Sequence, residues 1–204
     1  MASSGLWKAV KQVAGVDPSA IRVRDDFVRD EFGSSAHTRV RDALSPPLRA
    51  LVMAANPPPG YVDFALFLEM NVVIDRLLGA GDLELVPRMG RYAARQNAGA
   101  WQTLFSKTVD IPTFMGIAGG LWHKHYDSGS LIQRRIGESQ LEIELRNFAA
   151  PHRAHCMSVV GWLEGIFELS PSNRVVVTEP ACRASDDDQC LMVLEWSDAA
   201  PGAG

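Results

Sequence analysis

The chain has 204 residues, with 20 Lys and Arg against 24 Asp and Glu and a formal net charge of -4. Hydrophobic residues make up 47% and charged residues 22%, the balance of a globular chain long enough to bury its own core. That charge gives no electrostatic case for a nucleic-acid partner. No run of 18 apolar residues is present to span a membrane.

The start of the chain, Met1 to Lys8, lacks the charged-then-apolar layout of a signal peptide, so a cytoplasmic location is expected. Residues 1–60 read as an N-terminal helical extension. Trp7, Val10, Val13 and Val16 trace one weak helical face. Asp17-Pro18-Ser19 is a helix start, with proline in the first turn. Residues 24–32 are rich in charge, and Gly33-Ser34-Ser35 interrupts them before a second helix over 36–44. Ser45-Pro46-Pro47 ends that helix, Leu48 to Ala55 is short and apolar, and Asn56-Pro57-Pro58-Pro59-Gly60 is a firm break.

Beyond the break, residues 61–196 read as one domain. Phe64, Phe67, Leu68, Asn71, Val72, Ile74 and Leu78 recur at three- and four-residue steps, a helix closed by Gly79 to Asp82. Further helices are expected over 83–97, from Ala98 to about Val109, and from Asp110 through Trp122. Arg88, Arg91 and Arg95 share a helical spacing and read as a solvated face. The period then changes to two. Gln140 to Arg146 alternates polar and apolar residues, a half-buried strand with a hairpin partner in 126–136. Pro151 opens a helix to about Leu169, followed by strands from Arg174 to Ala184 and from Gln189 to Trp196. Residues 197–204 read as a flexible tail. The expected class is α/β (α+β): a helical N-terminal half on a small antiparallel sheet, ending strand-strand-helix-strand-strand.

All three cysteines fall in the last quarter: Cys156, Cys182 and Cys190. Glu179 sits three residues before Cys182 in a valine-rich strand, where a carboxylate is costly unless paired or metal-bound. In a reducing compartment, clustered cysteines favour metal over disulfide, and three thiolates with one carboxylate make a tetrahedral zinc set. The alternatives stay open at this point. The cysteines could be ordinary buried thiols. Glu179 could pair with Arg183 or Arg153, and His155 or His152 could replace it as a ligand.

His155-Cys156 through Gly161-Trp162, then Glu179-Pro180-Ala181-Cys182-Arg183 and Cys190, resembles the vinyl-four-reductase domain family. It is most similar to the sensory domains of phenol-responsive sigma-54 activators. The resemblance implies a structural Zn2+ on Cys156, Glu179, Cys182 and Cys190. It also implies a ligand-binding regulatory domain that acts through a partner protein. The activators continue into an ATPase module and a DNA-binding segment, which this sequence does not contain. The helical part more diffusely resembles a myxobacterial paralogous family of haem-NO-binding-like fold. The Tyr-x-Ser-x-Arg haem signature of gas-sensing relatives is absent, so haem is not expected. His123-Lys124-His125-Tyr126 reads as a polar helix end rather than a haem ligand set.

A pocket is expected between the helices of 83–122 and the sheet. Its candidate lining is Trp101, Phe105, Phe114, Trp122, His123, Tyr126, Phe148 and Trp162. Such a lining suits a small aromatic or lipid-like ligand, oriented by one or two hydrogen bonds. No nucleophile elbow or strand-then-glycine-loop motif is present, so an enzyme is not expected. A homodimer through the N-terminal half is expected, with a protein-interaction scaffold as the alternative function.

Overall fold

The computed structural model describes residues 14–107, 110–170 and 173–198. The expectations for residues 1–13 and for the tail beyond Asp198 lie outside them. A two-residue strand, β1 (Gly15–Val16), pairs antiparallel with β2 (Val62–Asp63). Between them run α1 (Pro18–Ala43) and α2 (Pro46–Met53). Asp17 caps α1 as its sequence suggests, accepting the Ser19 amide at 2.8 Å ahead of Pro18.

The two helices expected on either side of Gly33 are one helix with a kink. Gly33 takes φ 78°, which glycine adopts at no steric penalty, and the helix resumes beyond it. Phe27 and Val28 before the kink, and Ala36 and Val40 after it, enter the same core. A local break is therefore overridden by burial on both sides.

α3 (Phe64–Leu78), α4 (Val86–Arg95), α5 (Ala98–Phe105) and α6 (Ile111–Gly120) follow, and α6 ends in a 3-10 turn at Trp122–Lys124. Asp63 and Asp110 cap α3 and α6 through the amides of Ala65 and Thr113. Asp75, fully buried in α3, accepts the amides of Leu83 and Leu85 at 2.8 and 3.1 Å. It holds the turn in which Leu83 takes φ 70°.

The second half is β3 (Ser130–Gly137), β4 (Gln140–Arg146), α7 (Arg153–Phe167), β5 (Asn173–Ala181) and β6 (Cys190–Asp198). The strands form one antiparallel sheet in the order β3-β4-β6-β5. The α+β class and the strand-strand-helix-strand-strand order are as the alternating and three-to-four-residue periods indicate. On β4, Leu141, Ile143 and Leu145 are buried while the residues between them are not, the two-residue alternation made physical. α7 packs against α4 so closely that a Cβ on Gly161 would lie 2.1 Å from the Pro87 carbonyl oxygen. The charges of the Arg88, Arg91, Arg95 face pair outward with Glu31, Glu164 and Glu168. No described helix is long and apolar enough to cross a membrane.

Candidate functional site

Two features of the fold hold chemistry. The first is a cavity of about 740 Å3, partly open to solvent, between α1, the Pro57–Gly60 loop, the α4–α5 junction, the 3-10 turn and α7. Four expected lining residues, Trp101, Trp122, Tyr126 and Trp162, stand on its wall. Trp101 and Trp162 meet edge to face at 5.5 Å, and Trp122 stacks on Tyr126 at 4.4 Å. The indole N–H groups of Trp101 and Trp122 are satisfied by the carbonyls of Ala94 and Ser128, which leaves apolar ring faces for the cavity.

The other four expected residues lie elsewhere. Phe105 stacks on Phe114 at 4.3 Å, and Phe114 leans on Phe167 at 5.4 Å. Phe148 stacks at 4.5 Å on His155, inside the core. His123 is exposed, and its carbonyl accepts the Tyr61 hydroxyl. The wall also differs from the expected one. α1 and the proline loop supply much of it, although both precede residue 61.

Two of the polar groups on the wall, Arg24 and Ser158, come from residues that the sequence did not single out. Arg24 is 4% exposed, and its Nη2 donates to Ser158 Oγ at 2.5 Å. Its Nε has no partner among the described residues, and its guanidinium carbon lies 5.0 Å above the Phe67 ring. Burial draws its pKa down to about 10, so it stays charged near neutrality. A buried cation with no carboxylate beside it carries an uncompensated desolvation penalty. One signal could have found it: Ile21, Arg24 and Val28 share the inward face of α1 at helical spacing. His125 also reaches the wall. Burial lowers its pKa, which leaves the imidazole neutral.

The second feature is the thiol cluster. α7 supplies Cys156, the end of β5 supplies Cys182 and the start of β6 supplies Cys190, all buried, with Sγ atoms within 4.8 Å of one another. The convergence of three elements is as the sequence suggests. Cys182 Sγ donates to Cys156 Sγ at 3.5 Å, and Cys156 Sγ donates to Cys190 Sγ at 3.7 Å. The Cys156 hydrogen bond, with a second from the Arg183 amide, draws the Cys190 thiol below its ordinary range against the burial that opposes it.

Glu179 is not in this cluster. Its side chain, 5% exposed on β5, is ion-paired with Arg153 at the start of α7, so the carboxylate is neutralised by a cation. His152 caps α7 through the Ala154 amide, and His155 is enclosed by Phe64, Phe148, Tyr126 and Trp122. Neither histidine approaches the thiols as a fourth ligand.

No protein-family model matches the sequence, and no curated protein matches it. Solved structures match in fold. An H-NOX protein from Shewanella oneidensis, in its Fe(II) ligation state, aligns with TM-score 0.68 at 16% identity. That alignment covers 90% of this chain and 98% of the other. An oxygen complex of an oxygen-binding H-NOX domain, related to soluble guanylate cyclases, aligns with TM-score 0.61 at 11% identity. It covers 92% of this chain and 98% of that one. A structure solved to probe haem distortion in the H-NOX family aligns with TM-score 0.62 at 12% identity, over 92% and 97% of the two chains. The weaker of the two expected likenesses, to the haem-NO-binding fold, is therefore the one that the architecture bears out.

These comparisons correct the cofactor. The structural Zn2+ expected on Cys156, Glu179, Cys182 and Cys190 gives way: structures that share this fold include ones described by their haem, and Glu179 is held by Arg153. Haem, not expected from the sequence, is the group named for structures of this fold, although the full Tyr-x-Ser-x-Arg signature is absent here. Tyr126 and Ser128 match its first two positions, and Ser130 stands where arginine would.

Proposed function

We propose that this chain is a small-molecule-sensing regulatory domain, that its ligand occupies the cavity between α1 and α7, and that it signals to a partner protein. The observation that carries this reading is the cavity itself. It lies within the usual size range of ligand sites and is walled by aromatic faces with a few polar groups. A protein-interaction scaffold would have that space filled. A binding role rather than an enzymatic one follows from the wall. Its polar groups, the buried Arg24 and Ser158 and the half-buried His125, include no nucleophile with an adjacent base among the described residues.

Haem is the group by which the structural relatives are described. The donor set here suits it: His125 offers a neutral imidazole to iron, and Arg24 offers a cation to an acid group. A haem bound there would supply an iron atom for a diatomic gas. An apolar aromatic or lipid-like ligand fits the same lining. The cysteines serve the fold as a hydrogen-bonded group that ties α7 to the β5–β6 hairpin. We also propose a homodimer through the N-terminal half, where Met53, Tyr61 and Val72 are exposed. A ligand that shifts the packing of α1 on its neighbours would be read at that surface.

The test is a thermal-shift screen of haemin, phenols, aromatic acids and fatty acids against the full chain. At least one class should raise Tm in proportion to its concentration. Flat melting curves for all of them, with no absorbance typical of bound haem, would remove this function.

A further inference from the structure

We infer that the cavity selects molecules bearing a carboxylate on a flat apolar body, with Arg24 and Ser158 holding the carboxylate. The inference rests on the reading of the cavity as a ligand site and adds the chemical class that enters it.

Arg24 lacks a counter-charge. Every other charged group on the wall is already engaged. Asp17 caps α1 through the Ser19 amide at 2.8 Å. Asp26 pairs with Arg29 at 2.7 Å. Arg22 donates to the Ala54 carbonyl at 2.9 Å. Arg24 alone is buried, with one bond to a neutral hydroxyl and an Nε that has no partner among the described residues. The Phe67 face beneath it offsets part of the charge but accepts no hydrogen bond in the plane of the fork.

A guanidinium in that state presents a planar pair of donors that matches a carboxylate. The Ser158 hydroxyl, which accepts from Arg24, keeps its own hydrogen to donate to the same anion. The rest of the wall sets the body. Trp101, Trp122, Tyr126 and Trp162 offer ring faces, and Leu131 and Val159 offer aliphatic surface. Two sources share this chemistry: a free aromatic acid, and a carboxylate arm of a porphyrin. A neutral ligand of equal shape would leave the guanidinium as it stands, buried and unpaired.

Calorimetric titration of the full chain with matched pairs tests this. The pairs are 2-naphthoate against 2-naphthamide, and protoporphyrin IX against its dimethyl ester. In the wild-type chain the acid of at least one pair should bind roughly tenfold or more tighter than its neutral partner, the effect of a charge-assisted hydrogen bond. Preference in the naphthoate pair alone identifies a free acid, and in the porphyrin pair alone a porphyrin arm. Arg24→Gln should abolish the preference by weakening the acid far more than its neutral partner, and its apo Tm should equal or exceed that of the wild type. Ser158→Ala should lower the preference in part, which keeps the test decisive if Arg24→Gln fails to fold. Equal binding of acid and neutral partners overturns this inference and leaves the proposed function standing. No binding of any of the four compounds counts against the proposed function itself, and this inference falls with it.

Discussion

Gly161→Ala puts the closest packing in the molecule to the test. The added Cβ would lie 2.1 Å from the Pro87 carbonyl oxygen and 2.5 Å from its Cα, against 3.4 Å or more in ordinary contact. Both obstacles are backbone, so no rotamer change relieves them, and α4 must retreat from α7 by over an ångström. A radial gap of that size forfeits a quarter or more of each dispersion contact along the seam. Overpacking a full core costs about 1–3 kcal/mol, and a backbone obstacle places this site at the upper end. Alanine returns roughly 1 kcal/mol of helix propensity over glycine. The net loss is about 2 kcal/mol, or a fall in Tm of about 4–8 °C for a chain of this size. Urea denaturation followed by far-UV circular dichroism reads it, with Gly99→Ala as the control. Gly99 lies in α5 with nothing within 4 Å of its Cβ position, so its alanine variant should be neutral or slightly stabilised. If Gly161→Ala proves as stable as Gly99→Ala, the close seam between α4 and α7 is wrong.

The remaining predictions concern buried polar groups and association. His155 is fully buried with neither ring nitrogen partnered, and burial, with Arg24 nearby, draws its pKa to about 3. The unfolded chain protonates it near 6.5, so between those values the unfolded state holds the extra proton. Stability should therefore fall as pH drops from about 6.5 toward 3, by up to about 1.4 kcal/mol per pH unit, and His155→Phe should remove that part of the slope in acid titrations of Tm. Asp75→Asn should cost about 1–3 kcal/mol, because an amide oxygen replaces a carboxylate that accepts two backbone N–H groups; an unchanged urea midpoint would contradict that role. Light scattering at micromolar concentration should give twice the 22.3 kDa chain mass, and Met53→Asp should return it to one.

Local signals in the sequence were legible where one residue acts on its neighbours. Asp17 and Asp110 cap helices through side-chain geometry that spans three residues. The alternation of Gln140 to Arg146 reports its buried face directly. The convergence of the three cysteines was legible because a short hairpin joins two of their elements. Glu179 was misread for a related reason. Its need for a partner was visible, but Arg153 and a metal satisfy that need equally in sequence, and only the packing of α7 on β5 chose Arg153. The cavity was half legible. Trp101, Trp122, Tyr126 and Trp162 line it, whereas Phe105 and Phe114 found each other instead. Arg24 was hidden in the charge-rich run of 24–32, where the same spacing that buries it also looks like a solvated face. The wall formed by α1 and Pro57–Gly60 depends on contacts across more than a hundred residues, such as Arg24 to Ser158, which no local pattern records.

Native mass spectrometry of the full chain purified from cells tests the central claim most directly, with Ala118→Trp measured beside it. Ala118 is buried on the cavity wall, and an indole there occupies the space proposed for the ligand. The account predicts that wild-type protein, alone or after incubation with the compound giving the largest thermal shift, carries one small molecule per chain. It predicts that Ala118→Trp folds and carries none. A folded Ala118→Trp variant that binds the same compound as tightly as the wild type would contradict the account.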